Sequence, residues 1–205
     1  HYDGFGGGGI STGSVSVVFG YLDILGTSAP GYGAYTPPSF TKFAFSGSRN
    51  QQLTEDGLTS IYLAISGQLA SVNLNSAEQF YLGGPYGVRA YPVAQAAGTQ
   101  GGLATLEVRR QLPQNFTLSA FFDAGTVQQY KNTYQGWQGL THANNTYSLM
   151  GAGLGLKWIY DGWNVSGAVA WRVGSNPLYN QYGQAVNTDG TNTNPRGWIT
   201  GSYTF

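Results

Sequence analysis

The sequence predicts an all-β fold, a transmembrane antiparallel β-barrel, from three observations. Apolar residues alternate with small or polar residues along several long segments, whereas helical periodicity is nearly absent. These segments run about 9 to 12 residues, the length that a tilted strand needs to cross a bilayer, whereas strands of soluble proteins average about 5 or 6. The connections between segments alternate between short and long, as do the periplasmic turns and external loops of outer-membrane barrels.

Composition supports the same class. Only 9% of the 205 residues are charged and 15% are aromatic, and the chain contains 32 glycines and no cysteine. An average soluble domain is roughly 25% charged. The formal net charge is zero and no basic cluster is present, so we do not expect nucleic acid as a partner. No run of about 18 apolar residues predicts a transmembrane helix.

The expected strands follow the alternation in chain order. In TSIYLAISGQLA the apolar face holds Ile61 and Leu63, and in ATLEVRRQL it holds Leu106 and Val108, with Glu107 opposite. We expect nine strands, with a stub at 1–10 as a further candidate. They are residues 13–22, 40–48, 58–70, 76–82, 102–112, 116–127, 147–160, 163–173 and 196–205.

The later strands show the pattern most clearly. FTLSAFFDAG places Phe122 on the apolar face and Asp123 on the other, and YSLMGAGLGLKW places Leu154 opposite Lys157. A soluble sandwich would turn the apolar face inward, whereas a membrane barrel turns it toward lipid and the polar face toward the lumen. Strand length, the rhythm of the connections and aromatic girdles favour the barrel. The aromatics that we assign to the girdles at strand ends are Trp158, Tyr160, Trp163 and Trp198.

Turn signals fit the same arrangement, with one exception. Asp161-Gly162 predicts a type I′ hairpin, and residues 112–115 predict another tight turn. Residues 83–101, 129–146 and 174–195 read as long polar loops. The connection at 26–39 should be short by this alternation but is long.

The strand count predicts that the chain is one part of a larger barrel. Nine strands would leave sheet edges unpaired in lipid, where each unpaired backbone group costs several kcal/mol, and bacterial single-chain barrels use even strand numbers. The sequence also begins at His1 within a pattern rather than at a methionine. We therefore expect residues 1–205 to be the C-terminal portion of one outer-membrane barrel domain, of 16 strands, with upstream strands absent.

The segment YLGGPYGVRAYP, residues 81–92, concentrates glycine, proline and tyrosine around a single arginine. It is followed by GGLATLEVRRQLP, FFDAG and GAGLGLKW. This ordered set resembles the C-terminal barrel of two-partner secretion transporters, the haemolysin secretion/activation family (ShlB/FhaC/HecB-like), within the outer-membrane assembly-factor superfamily. The resemblance covers most of the chain from about residue 40. Ala90 replaces the glycine of the common Val-Arg-Gly-Phe/Tyr tetrad.

The resemblance implies that loop 83–101 folds back into the barrel lumen and that its arginine meets an acidic residue on the wall. By position, that pair is Arg89 and Asp123, and alternation separately puts Asp123 on the lumen face. Glu107 is the second candidate partner, because a half-buried guanidinium needs a carboxylate. A plain turn with a solvated Arg89 is the alternative. The loop motif comprises Gly83, Gly84, Val88, Arg89, Ala90 and Tyr91, and the expected wall residues are Asp123, Glu107 and Gly125.

The cationic residues and the glycines of the predicted lumen face each have two interpretations. Arg109, Lys157 and Arg172 either line a charged channel or merely keep a wet interior soluble. The glycines in GAGLG leave the pore clear of side chains or make room for the inward loop. Whether the arginine contact braces the barrel or gates its pore is also left open.

The C-terminal strand ends on an aromatic residue. Phe205 shares a face with Tyr203 in RGWITGSYTF, which resembles the signal by which bacterial outer-membrane barrels are recognised for assembly. This predicts that the barrel assembly machinery is a partner during insertion.

No motif predicts catalysis or a cofactor. GFGGGGIS lacks the lysine and hydroxyl residue of a P-loop, and His1 and His142 lie far apart. No histidine is placed near a lumenal serine for a triad. We expect a non-enzyme without metal or cofactor.

The resemblance implies export of a large haemolysin- or adhesin-type exoprotein through the lumen of a Gram-negative outer membrane. In the family, upstream periplasmic POTRA domains capture the substrate, and we expect them to lie outside this chain. The expected partners are the exoprotein, outer-membrane lipids and the assembly machinery. The alternatives are a barrel-insertion assembly factor, a passive porin or a barrel-embedded enzyme.

Overall fold

The computed structural model describes residues 2–6, 8–21, 36–138 and 144–205. Nine strands form one antiparallel sheet in the order β1-β2-β3-β4-β7-β8-β9-β10-β11, and β5 pairs with β6 in a separate two-stranded ribbon. The strands are β1 Tyr2–Gly6, β2 Gly9–Tyr21, β3 Ser39–Gln52, β4 Thr59–Ala70, β5 Phe80–Tyr81, β6 Ala97–Gly98, β7 Gln100–Leu112, β8 Phe116–Gln128, β9 Thr146–Tyr160, β10 Trp163–Arg172 and β11 Arg196–Tyr203.

The two faces of the sheet confirm the predicted barrel class. Large apolar side chains on one face are uncovered, with Leu63 48%, Val108 46% and Leu154 54% exposed. The opposite face carries the small and polar residues and is partly covered by a loop. A soluble sandwich would bury the apolar face, whereas a membrane barrel presents it to lipid. No helix in the described part of the chain is long and apolar enough to cross a membrane.

The predicted strand at 76–82 is wrong. Residues Ser76–Glu78 form a single 3-10 turn, capped by the Asn75 side chain, which accepts a hydrogen bond from the Ala77 amide at 3.0 Å. Only Phe80–Tyr81 is extended, and it pairs with Ala97–Gly98 rather than with the main sheet. Leu82, at the end of this segment, is fully buried on the lumen side.

The stub predicted at 1–10 takes the place of that strand in the main sheet. β1 pairs with β2 from Tyr2 opposite Gly13 to Gly6 opposite Gly9. The sheet therefore still has nine strands, and its connections now alternate without exception. The short connections are residues 7–8, 53–58, 113–115 and 161–162, and the long ones are 22–38, 71–99, 129–145 and 173–195.

Two predictions about connections have different outcomes. The long connection at 26–39 is not an exception. Once 76–82 is no longer counted as a strand of the main sheet, the connection from β2 to β3 falls on the side of the long loops. Residues 26–35 themselves lie outside the described residues. The type I′ turn is confirmed, since Asp161 and Gly162 both have positive φ, 47° and 77°.

The main sheet has two open edges within the described residues. β1 pairs only with β2, and β11 pairs only with β10. Residues 71–99, which we call the inward loop, contact β7, β8 and β11 through the single residue Arg89, so the sheet curves with its polar face concave around the loop. That loop and the face beneath it contain the candidate site.

Candidate functional site

The inward loop lies against the polar face of β7 to β11 and supplies nearly half of the buried residues in the described part of the chain. Its fully buried members pack on side chains from β8, β9, β10 and the β10–β11 connection. The apolar residues of this lumenal cluster are Leu82, Val88, Ala90, Tyr91, Ala96, Phe121, Val127, Tyr147, Leu149, Ala170 and Leu178. The hydrophobic core of the described structure is therefore inside the barrel wall, where it holds the loop in place.

Glycines of the motif allow the tight path of the inward loop. Gly84 has φ +113°, and the Gly87 amide donates to the Gly84 carbonyl at 3.1 Å, closing a turn at the loop tip. A Cβ at Gly83 would overlap the Pro92 carbonyl oxygen. The chain then turns again, since the Tyr91 amide donates to the Val88 carbonyl at 3.1 Å. These two turns aim the side chain of Arg89 at the wall.

The structure brings Arg89 together with both predicted carboxylates. Its Nε and Nη2 donate to Oδ2 and Oδ1 of Asp123 at 2.9 and 2.8 Å, in the two-pronged geometry that suits guanidinium and carboxylate. Its Nη1 donates to Oε1 of Glu107 at 2.6 Å. The solvated alternative does not hold, because Asp123 is fully buried and Glu107 is 8% exposed.

The carboxylate of Asp123 is saturated with donors. Besides the guanidinium it accepts the Arg89 backbone amide at 3.1 Å and the Thr105 hydroxyl at 3.0 Å. Thr105 lies directly opposite Asp123 in the β7–β8 register. A buried carboxylate is tolerated only when it is paired and hydrogen-bonded, and Asp123 meets both conditions.

Glu107 is shared between two arginines. Its Oε2 accepts from Arg109 Nε at 2.7 Å and forms an ion pair with Arg109 Nη2 at 2.6 Å. Arg109 in turn lies 3.9 Å from the ring centroid of Tyr62. Two arginines and two carboxylates thus form a network with no formal net charge.

Sequence reasoning missed two aromatic residues of the site. The guanidinium carbon of Arg89 lies 3.3 Å from the ring centroid of Phe121, which packs beneath it as a cation–π partner. The alternation of β8 carries the signal, because Phe121 precedes Asp123 by two residues and so shares its face.

Trp198 is the second missed residue, and its assignment to an interfacial girdle is wrong. It lies opposite Ala168 on the lumen face, and its indole Nε1 donates to the Arg89 carbonyl at 2.7 Å. Its position two residues from Arg196 and from Thr200, on the polar face of β11, carries the signal. Trp158 does lie on the outer face, stacked near Phe116 with ring centroids 6.3 Å apart.

Glycines on the wall make room for the inward loop. Cβ atoms at Gly125 and Gly151 would lie 2.5 Å from Leu82 Cδ2 and 2.7 Å from Ala90 Cβ. A Cβ at Gly153 would lie 2.5 Å from the Phe121 ring. Of the two interpretations of the glycine-rich face, the structure therefore favours space for packed side chains at these three positions.

The three predicted pore-lining cations have different surroundings. Lys157 and Arg109 line a cavity of about 480 Å³ beneath the loop tip, which has both polar and apolar side chains on its walls. Arg172 instead holds the β10–β11 connection, donating to Asn192 Oδ1 at 2.8 Å and to the Asn192 carbonyl at 2.9 Å. Their role in lining a pore stays a prediction.

The C-terminal aromatics are uncovered. Tyr203 ends β11, packs near Trp163 with ring centroids 4.9 Å apart, and is 51% exposed. Phe205 is fully exposed. Their recognition as an assembly signal stays a prediction. Among the described residues, no group of three or more His, Cys, Asp or Glu side chains is arranged to hold a metal ion.

The fold and site define a class: an outer-membrane type of barrel wall whose inward loop is fixed to the lumen by an arginine–carboxylate network. The chain belongs to the Omp85 superfamily, because the profile of the Omp85 superfamily domain matches residues 21–183. This confirms the resemblance recognised from the ordered motifs at the level of the superfamily.

Solved structures show the same fold. CdiB from Escherichia coli matches with a TM-score of 0.62 at 18% identity, covering 97% of this chain and 34% of CdiB. CdiB from Acinetobacter baumannii matches with a TM-score of 0.61 at 17% identity, covering 97% of this chain and 30% of that protein.

A curated relative is similar in sequence over a shorter stretch. The heme/hemopexin transporter protein HuxB of Haemophilus influenzae is 34% identical over 99 residues, which is 46% of this chain and 17% of HuxB. The chain therefore spans about a third or less of the proteins that it resembles.

Proposed function

We propose that this chain is part of an outer-membrane translocation pore that exports a secreted exoprotein in two-partner secretion. The observation that carries the proposal is the inward loop, packed on the lumen face and fixed by Arg89 to Asp123 and Glu107. Membership of the Omp85 superfamily and similarity to HuxB, whose name describes a transporter, support it.

The proposed path runs along the concave polar face. Serine and threonine hydroxyls and glycine backbone line it beside Lys157 and Arg109, so an unfolded polypeptide would meet hydrogen-bonding groups together with apolar side chains such as Ile65 and Trp198. The outward apolar face would lie in the lipids of a Gram-negative outer membrane after insertion by the barrel assembly machinery. No chemical step is part of this proposal, in line with the expectation of a non-enzyme without cofactor.

The proposal includes further strands from outside this chain. The described sheet ends in two open edges, β1 and β11, and open edges are not stable in the hydrocarbon region. Upstream barrel strands would close it, and POTRA domains would receive the cargo on the periplasmic side. A haemolysin or an adhesin is the cargo class that the motifs imply.

A loop fixed within the lumen favours a controlled pore over a passive porin. The Arg89 side chain and backbone amide donate four hydrogen bonds to Asp123 and Glu107, and these hold the loop against the lumen face of the wall. A barrel-insertion assembly factor of the same superfamily is the remaining rival, and a hydrolase would need reactive groups that we do not identify among the described residues.

The test uses the full-length protein and its exoprotein in a deletion host. We expect Arg89→Ala to reduce the secreted exoprotein while the barrel still inserts and shows heat-modifiable mobility. Arg110→Ala is the matched control, since Arg110 forms an exposed ion pair with Asp56 at a turn, 3.2 Å apart. Normal secretion by the Arg89→Ala strain would refute a role for the loop contact. Loss of other outer-membrane barrels in the deletion host would instead identify an assembly factor.

A further inference from the structure

Arg89 is bonded to two parts of the wall that are not adjacent. Its guanidinium and amide bind Asp123 on β8, and its carbonyl accepts the Trp198 indole of β11 at 2.7 Å. Strands β9 and β10 lie between β8 and β11 in the sheet. One loop residue, Arg89, therefore connects β8 with β11 across the concave side of the wall, and we call this connection the chord.

A second contact joins the inward loop to the same end of the sheet. The fully buried Gln95 accepts the Thr188 amide at 2.8 Å and the Thr188 hydroxyl at 3.0 Å. Thr188 lies in the connection between β10 and β11, and the neighbouring Asp189 pairs with Arg196 at the start of β11, 3.0 Å away. We call β10, β11 and this connection the last hairpin.

The last hairpin forms one edge of the described sheet, and β1 forms the other. β11 is hydrogen-bonded on one side only, to β10, within the described residues. β10 in turn carries small residues on its lumen face, such as Ala168 and Ala170, so that the loop, rather than a layer of bulky side chains, supports β11 from within.

We propose that Trp198 is a positioning residue that fastens the inward loop to the last hairpin, so that release of the loop and displacement of β11 are one event. The Arg89 carbonyl loses the Trp198 donor if β11 shifts. Conversely, withdrawal of Arg89 removes the chord that fixes the distance from β8 to β11. The inference concerns the loop of the proposed pore, but it requires no exoprotein and can fail or hold independently of secretion.

The experiment measures the distance between β7 and β11 in the full-length protein in detergent or lipid. Spin labels are attached at Gln111 on β7 and Ser202 on β11 after both are changed to cysteine. This chain has no cysteine of its own, and any cysteine elsewhere in the full-length protein is first changed to serine. Pulsed electron paramagnetic resonance then gives the distance distribution. We expect one narrow peak for the otherwise unchanged protein.

Trp198→Phe removes the donor and keeps most of the ring. Loss of one hydrogen bond to a buried carbonyl corresponds to about a tenfold greater population of the displaced state, so the peak should broaden. Trp158→Phe is the matched control, since Trp158 faces outward, and it should leave the peak unchanged. Arg89→Ala should broaden the peak as well, and adding Trp198→Phe to it should have little further effect, because both changes break the same chord.

A narrow peak in Trp198→Phe, with heat-modifiable mobility intact, would overturn the proposal. Additive broadening in the double variant would do the same. If Trp198→Phe fails to insert, Thr188→Val tests the other fastening on the last hairpin, with Thr193→Val as its exposed control. Broadening in Thr188→Val alone would then support the proposal, and equal narrow peaks in both would refute it.

Discussion

The guanidinium of Arg89 and the carboxylate of Asp123 meet in a two-pronged ion pair, with N–O distances of 2.9 and 2.8 Å, inside the concave face of the sheet. One partner comes from a loop and the other from the middle of β8. Because Asp123 is fully buried, the pair is shielded from competing water and salt. The contact therefore fixes the position of the loop, as an exposed surface ion pair would not.

Removing the carboxylate should destabilise the barrel. Asp123→Ala leaves the half-buried Arg89 with only Glu107, which already serves Arg109, and breaking a buried ion pair from one side costs about 3–5 kcal/mol. We expect a loss of that order in the free energy of unfolding of the full-length protein in a denaturant titration. Asp56→Ala, at an exposed turn, should have a much smaller effect. Equal effects of the two substitutions would argue against a buried network.

Loop docking should depend on the glycine face of β9. Gly151→Ala would place a methyl group 2.7 Å from Ala90 Cβ, and overpacking of this kind typically costs about 1–3 kcal/mol. We expect increased protease cleavage within the inward loop of the inserted protein. Ala90→Gly in the same chain should reverse much of the effect, because it removes the opposing methyl group. Failure of that second change to restore protection would show that Gly151 is needed for another reason.

The connection of the last hairpin should loosen in acid. Burial alone would raise the pKa of Asp189, but hydrogen bonds from Thr191 and the charge of Arg196 outweigh it and lower the pKa below its ordinary value. With the folded-state pKa below the unfolded one, the stabilisation is present above about pH 4 and is lost as the pH falls through the folded-state pKa.

Amide hydrogen exchange of the full-length protein tests this. After correction for intrinsic rates, the Thr191 amide, which donates to Asp189 at 3.0 Å, should lose protection below about pH 4. Asp189→Asn should show weaker protection without that pH dependence. The same acid transition in both proteins would assign it to another group.

Much of this structure follows from alternation and turn chemistry. The long strands, the Asp161-Gly162 turn and the lumen side of Asp123 are local consequences of a period of two and of positive φ. Arg89 could be matched to Asp123 because an ordered set of motifs resembled a known family and because a half-buried guanidinium requires a carboxylate.

The two wrong predictions, the strand at 76–82 and the interfacial position of Trp198, concern features that depend on tertiary contacts. Residues 76–82 have the composition of a strand, yet they belong to a loop that buries Leu82 and Tyr91 inside the barrel, and a short segment cannot show which side of a sheet will cover it. Trp198 was assigned by its type to an interface, whereas its partner is a backbone carbonyl more than a hundred residues away in the chain. Such a contact leaves no local pattern.

The central claim is that Arg89 holds the inward loop inside the lumen. The most direct measurement is the distance from the loop tip to the wall in the full-length protein, with spin labels at Tyr86→Cys and Gln111→Cys, two positions that line the same cavity. We predict one narrow distance for the labelled parent and for Arg110→Ala, and a broad or shifted distribution for Arg89→Ala. An equally narrow, unshifted distance in Arg89→Ala would contradict the account.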